Sequence, residues 1–427
     1  MTDPIKPIRD LLDTVNHLQW YTPERLSQIQ LRKFMDLVHY HKKFSPFFAE
    51  RTKDIELTPQ GLLGRLPILK RADLQAAGDG FFATEVPKEH GNIGEVRSSG
   101  STGEPVVIKA TNVTATFFHA FNIQEMMMHN RDPRMKAASI KANITETKVY
   151  EKWGMPLDAF YGETGKSLAI KGSTDIAKQD RLLREFKPEL LTVYPSNLSA
   201  LLDIWEETPI DWKIKHIKSM GETLSDTIRQ RVTKILGIKV EDTYSSQELG
   251  TIAMQCSAGL YHTMDQNLLV EVLDDNYKPV KQGEIGRVVV TDIHNYASPM
   301  IRYETGDYAV RGGRCKCGRG LQTLAEVRGR ERNLILRADG TRYWPLVGMY
   351  QFDELDFKIR RYQVIQLDRE NIEYKIVTDN PLTADQEAAL LKVAQTALGS
   401  EFKIKINRID AFPYAKNGKF EEFICLA

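Results

Sequence analysis

The sequence predicts an α/β chain in two parts: a large, multi-subdomain N-terminal α/β domain over 1–329 and a small, mobile α+β domain over 330–427. Three observations carry this expectation. From Leu63 to Val310, short apolar or β-branched runs alternate with helical stretches, the order that builds layered strand–helix domains. After Arg328-Gly329-Arg330 that alternation gives way to neighbouring strand patterns around one long helix. A length of 427 residues, at roughly 150 per domain, also leaves room for two or three domains.

The elements follow in order. Near the N-terminus, Leu31, Phe34, Met35 and Val38 keep the three-and-four spacing of one apolar helix face. His39 and His41, two apart, point in different directions on such a helix and read as solvated surface residues, not a metal pair. Strands are expected at Val106–Ile108, Leu190–Val193, Lys239–Glu241, Leu268–Leu273 and Arg287–Thr291, with helices over Ser196–Glu206 and Ser225–Leu236. Beyond Arg330, Tyr362–Leu367 and Ile372–Val377 read as strands joined by a polar turn. Ala384–Leu398 reads as a helix closed by Gly399, and Phe402–Ile406 as a third strand.

Charge and composition narrow the partners. Lysine and arginine total 58 against 57 aspartate and glutamate, a net charge of +1, which argues against a basic face for nucleic acid or an anionic membrane. No secretory signal pattern and no apolar run of about 18 residues is visible, so a cytoplasmic protein without a membrane span is expected. Four cysteines are too few for a disulfide scaffold and fit a reducing compartment. Cys315 and Cys317, separated by one residue, are the compositional oddity.

The chemistry-bearing segment is Arg97-Ser98-Ser99-Gly100-Ser101-Thr102-Gly103-Glu104-Pro105, which runs into a strand. Glycines allow close backbone approach, and hydroxyls with bare N–H groups can wrap phosphate oxygens. Gly162-Glu163-Thr164-Gly165-Lys166-Ser167 only mimics a nucleoside-triphosphatase P-loop, because Phe160 stands where that pattern needs glycine. Two more segments matter: Asp242-Thr243-Tyr244-Ser245-Ser246-Gln247-Glu248-Leu249-Gly250, and Pro299 through Arg302-Tyr303-Glu304-Thr305-Gly306-Asp307.

In this order, with Gly221-Glu222, Gly329-Arg330 and the terminal Pro413-Tyr414-Ala415-Lys416-Asn417-Gly418-Lys419, these segments resemble the adenylate-forming superfamily. Within it they look like the short phenylacetate–coenzyme A ligase branch, and the match spans Ser98 to Lys419. Two departures stand out: Ser245 where the family often has glycine, and Glu331-Arg332-Asn333 where it usually has an acidic pair.

The resemblance implies the fold of adenylate-forming enzymes and a set of roles. Ser98, Ser99, Gly100, Ser101, Thr102 and Gly103 would hold the ATP phosphates. Gly221, Glu222 and Tyr244 would border the adenine, with Asp242 and Ser245 beside them, and Asp307 would accept from both ribose hydroxyls. Glu248 would ligate Mg²⁺, Arg330 would contact the nucleotide at the hinge, and Lys419 would neutralise the transition state. An acyl-AMP would form with release of pyrophosphate. Coenzyme A would then take the acyl group, with a carrier-protein thiol or an amine left open as acceptor. A small carboxylic acid and ATP are the implied partners, and a homodimer is left open.

Each residue also has a plainer reading. Glu222 could start the following helix, Asp307 could cap a turn, and Lys419 could be a solvated lysine. Cys256, His262, Cys315 and Cys317 make a closed three-thiolate, one-imidazole zinc set, against three reduced thiols and an unrelated histidine. Cys425 reads as an ordinary thiol. For the acyl pocket, Phe118, Tyr161, Tyr194 and Ser196 are candidates, beside Phe117, Phe121 and Met126 to Met128, which by spacing alone are core. An aromatic or small apolar acid would fit. A non-catalytic nucleotide-binding, zinc-stapled interaction protein is the reading from another class.

Overall fold

The computed structural model describes residues 3, 5–97, 106–330, 334–343, 352, 355–412 and 422–427. Contacts divide the chain into two compact units. One comprises Met1–Ala137, Val149–Ser167 and Glu241–Arg328; the other comprises Ala138–Lys148, Leu168–Val240 and Gly329–Ala427.

In the first unit, strands run side by side in the order Leu268–Leu273, Ile285–Asp292, Tyr303–Arg311, Thr323–Arg330, Tyr261–Thr263, Gly250–Gln255 and Val240–Ser246. Their apolar side chains, among them Ile252, Val270, Val288, Val290 and Leu324, form one core. The sequence expectation ended the strand near Glu241, yet pairing with Gly250–Gln255 carries it to Ser246. Polar residues persist in that strand because the sheet supplies backbone partners whatever the side chains.

Helix Pro23–Phe44 starts at Thr22, whose hydroxyl accepts from the Arg25 N–H at 3.4 Å. Its buried face is Leu26, Phe34, Leu37, Val38 and His41. This corrects two expectations. Leu31 is 42% exposed, and His41 is buried, its Nε2 2.9 Å from the Asn295 carbonyl. The stripe from Phe34 through Leu37 and Val38 passes over position 41 one turn later, so tertiary packing covers a residue that polarity alone places outside. Burial pushes the His41 pKa down to about 4. Helix Asn112–Met128 buries Phe117, Phe121 and Met126, and Phe117 and Phe121 meet Leu12 and Val15 of helix Lys6–Leu18 in one cluster.

In the second unit, strands His216–Met220, Leu190–Val193, Ala137–Lys141 and Ser167–Lys171 lie in that order, the first two parallel. Helices Ile176–Phe186, Pro195–Glu207 and Asp226–Leu236 cover them, with Trp205 fully buried. The C-terminal strands run Lys403–Arg408, Asn371–Thr378, Ile359–Gln366, Phe423–Cys425, and helix Ala384–Leu398 begins with a Thr383/Gln386 capping box. The short strand Phe423–Cys425 carries no sequence signal of its own; it pairs parallel with Val364–Gln366. Among the described residues, no helix is long and apolar enough to cross a membrane.

Asp292 closes its strand fully buried, one oxygen accepting from the His294 N–H at 3.0 Å, and burial pushes its pKa up to about 7. A carboxyl harder to ionise when folded makes stability fall as pH rises from its unfolded value, about 3.9, toward its folded one. Asp292→Asn removes that loss. The stability difference between variant and wild type should therefore be larger at about pH 8 than at about pH 5 in denaturant titrations. A difference independent of pH would contradict the assignment.

Candidate functional site

Within the first unit, Tyr244 and Asp307 come together from strands Val240–Ser246 and Tyr303–Arg311. The Tyr244 hydroxyl donates to Asp307 Oδ2 at 2.7 Å and lies 3.3 Å from Thr305 Oγ1. Thr305 Oγ1 also accepts from the Asp307 N–H at 3.1 Å. Register shifts between Tyr244 and Ser245, a bulge that redirects the strand where the motif leaves it. Gly250, at φ +67°, turns the chain back into the next strand.

Asp242, two residues earlier on the same strand face, accepts from the Tyr261 hydroxyl at 2.7 Å. Glu248 has a largely buried side chain, and Arg71 approaches its carboxylate at 3.6 Å, longer than a hydrogen bond. Its oxygens therefore remain chemically suited to a hard cation such as Mg²⁺. Burial, followed by the negative charge of Glu248, pushes the Tyr303 pKa up to about 12.

On helix Asn112–Met128, Phe117, Phe121 and Met126 are core, whereas Phe118 is 48% exposed and Met127, which spacing alone places in the core, is 44% exposed. Phe118 lies beside Gly250, where an added Cβ would come 4.0 Å from its ring. Tyr161 is half-buried against Phe160.

In the second unit, Gly221 follows strand His216–Met220 at φ +79°, and a Cβ there would lie 2.9 Å from the Tyr194 ring. The Tyr194 hydroxyl accepts from the Ala142 N–H at 3.1 Å. Glu222 accepts from the Ser196 N–H at 2.9 Å and the Ser196 hydroxyl at 3.0 Å, in the first turn of helix Pro195–Glu207. The carboxylate thus satisfies an N–H left open by the helix terminus and faces the positive end of its dipole. Gly221, Glu222, Tyr194 and Ser196 therefore form one constellation. Arg330 ends strand Thr323–Arg330, half-buried. Ser98 to Gly103 and Lys419 lie outside the described residues.

The Cys/His cluster is assembled by the sheet of the first unit. Cys256 follows strand Gly250–Gln255, and His262 pairs opposite Met254 on the neighbouring strand. Cys315 and Cys317 sit in the connection between strands Tyr303–Arg311 and Thr323–Arg330. All four ligand atoms lie within 4.8 Å of one another, with 3.6 Å between the Cys256 and Cys315 sulfurs and 3.2 Å from Cys317 Sγ to His262 Nε2. Two thiolates each about 2.3 Å from a tetrahedral zinc lie about 3.8 Å apart, so the donor set fits that ion. Burial, then the charge of Arg319, pushes the His262 pKa down to about 4, which leaves a neutral imidazole.

Three partners escaped the sequence reading: Tyr261 on Asp242, Arg71 near Glu248, and Ser196 on Glu222. Each is far in sequence from its carboxylate and belongs to no local pattern. Thr305 lies inside the quoted Thr-Gly-Asp run, but its hydroxyl contact with Tyr244 is visible only in the structure.

Comparison with known proteins adds relatives. Residues 348–425 match the family model of the CapK C-terminal domain. The chain is similar to the phenylacetate–coenzyme A ligase of Thermus thermophilus, 25% identical over 329 residues, covering 73% of this chain and 72% of that protein. It is also similar to the Pseudomonas putida protein of the same name, 26% identical over 326 residues, covering 70% of this chain and 69% of that one. Protein CapK of Staphylococcus aureus is 22% identical over 299 residues, covering 66% of this chain and 62% of that protein. Among solved structures, 2-hydroxyisobutyryl-CoA ligase in the postadenylation state with an acyl-AMP shares the fold at TM-score 0.73 and 17% identity, over 96% of this chain and 91% of that one.

Gly221→Ala tests the close approach to Tyr194. A positive φ and a ring inside contact distance should together cost about 1–3 kcal/mol of unfolding free energy, measured by chemical denaturation. A neutral substitution would show that the ring moves freely.

Proposed function

We propose that this chain, a member of the adenylate-forming superfamily, is an AMP-forming acid–thiol ligase. It joins a carboxylic acid to the α-phosphate of ATP, releases pyrophosphate, and passes the acyl group to a thiol, coenzyme A. The observation that carries this reading is the Tyr244–Asp307 pair at 2.7 Å. An aromatic face and a carboxylate held side by side by one hydrogen bond suit a nucleoside: the ring stacks on a base, and the two carboxylate oxygens accept from a ribose diol.

In this reading the Tyr244 hydroxyl fixes the Asp307 carboxylate, so the diol meets an oriented acceptor, and the ring, 8% exposed, would border the base. Asp242 is held by Tyr261, which keeps the strand ahead of Tyr244 in place, and Ser245 sits at the bulge. Glu222, fixed on Ser196, and Gly221, against Tyr194, border the adenine, with Arg330 as a further nucleotide contact. By the sequence resemblance Ser98, Ser99, Gly100, Ser101, Thr102 and Gly103 would wrap the phosphates, and Lys419 would neutralise the negative charge that grows on the α-phosphate. Glu248 would hold Mg²⁺, which screens the phosphate charge when bound. The half-exposed Phe118 beside Gly250, with Tyr161, favours a flat or small apolar acid. Cys256, His262, Cys315 and Cys317 would hold a structural Zn²⁺, which supplies a cross-link and no chemistry.

Acid-dependent exchange of pyrophosphate into ATP measures the first half-reaction alone. It should fall by roughly 10²-fold or more in Lys419→Ala, the order expected for one lost transition-state charge contact. In Asp307→Ala the KM for ATP should rise, because the lost acceptor serves binding before reaction. Unchanged exchange in Lys419→Ala would remove that lysine from the reaction. Absence of exchange with every member of an aliphatic and aromatic acid panel would sink the ligase reading.

A further inference from the structure

The loop that carries Cys315 and Cys317 has a second set of contacts that face away from the cluster, although Arg319, which makes two of them, also lies against Cys317. The Gly320 N–H donates to the Gln19 carbonyl at 2.9 Å, and Arg319 Nε donates to Gln19 Oε1 at 2.7 Å. The Arg319 guanidinium stacks 4.9 Å over the ring of Trp20, which is 54% exposed. At Gly320 a Cβ would lie 1.8 Å from the Tyr21 carbonyl oxygen, so this backbone approach requires glycine.

What the loop grips is the end of a helix. Gln19 closes helix Lys6–Leu18, its N–H donating to the Val15 carbonyl and its side chain to the Asn16 carbonyl. That helix lays Leu12 and Val15 against Phe117, Ala120, Phe121 and Ile123 of helix Asn112–Met128. Gln124 donates to Asn16 Oδ1 at 3.2 Å, and Gln266 donates to the Val15 carbonyl at 3.3 Å. The same long helix carries Phe118. The loop has no regular secondary structure across 312–322; scattered backbone bonds at Gly312, Gly318 and Gly320 hold it together with side-chain ties.

We infer that the Cys256/His262/Cys315/Cys317 cluster acts as a clasp. A zinc ion held there fixes the 315–320 loop, the loop seats the Gln19–Tyr21 turn, and the turn holds helix Lys6–Leu18 on the helix that bears Phe118. The inference rests on the zinc reading of the cluster. It goes beyond that reading by assigning the ion a job at a distance, namely the order of a candidate acid-pocket helix.

Hydrogen exchange read by mass spectrometry on the full chain tests it, with zinc content measured on the same samples. Removing zinc with a chelator should make amides in 6–18 and 112–128 exchange roughly tenfold faster or more, while Leu190–Val193 stays unchanged. Trp20→Ala, which removes Arg319's stacking partner on the turn and touches no ligand, should keep its zinc and still loosen 6–18. Changes confined to 256–262 and 315–322 after zinc loss would overturn the clasp, as would undiminished protection of 6–18 in Trp20→Ala. Protein that contains no zinc and takes none up on titration would overturn the metal reading itself, and the metal analysis reports that failure separately from the exchange data.

Discussion

Strand Gly250–Gln255 is the constraint on which both candidate centres of the first unit depend. One of its residues, Met254, faces Thr243 on one side and His262 on the other, and Ala253 faces Tyr244 and Thr263. Side chains alternate across a strand, so a one-residue slip would turn Tyr244 away from Asp307 and His262 away from the thiols together. The register is held by burial: Ile252, Ala253 and Met254 are almost wholly covered. The placement of Tyr244 and that of His262 thus depend on the same buried strand.

Buried charges reinforce that placement. Arg131 pairs with Glu125 and with Glu241, and the Thr243 hydroxyl donates to Glu125 at 3.3 Å. This ties the end of the Phe118 helix to the strand that carries Tyr244. Arg302 forms a two-pronged pair with Glu271 and donates to the Leu66 carbonyl at 2.8 Å, which anchors the start of the strand that carries Asp307. Such pairs add little net stability, because desolvation offsets attraction, yet breaking one leaves a stranded charge. Their effect here is geometric. They fix where two functional strands begin.

The same logic separates the candidate site residues from those that hold them. Tyr261, Ser196 and Thr305 each satisfy a polar partner of a candidate residue, and in doing so limit its rotamers. Glu222 does not start the helix that follows it, which begins after Ser225; it is held instead at the N-terminus of helix Pro195–Glu207 by Ser196.

Much of this was legible in the sequence. Periodicity gave helix Ala384–Leu398 residue for residue, and the strands Leu190–Val193 and Leu268–Leu273, because long regular patterns encode their own burial. Motif order singled out Tyr244 and Asp307, which the structure brings together, and residue type singled out Cys256, His262, Cys315 and Cys317, whose ligand atoms meet. Tertiary structure alone decided which polar residues are covered and which apolar ones are not. His41 is buried and Leu31 exposed, Phe117 is core and its neighbour Phe118 is not, and Tyr261 reaches Asp242. Those outcomes depend on which element lies opposite, and a local pattern of about 3.6 or 2 residues carries no information about its partner's face.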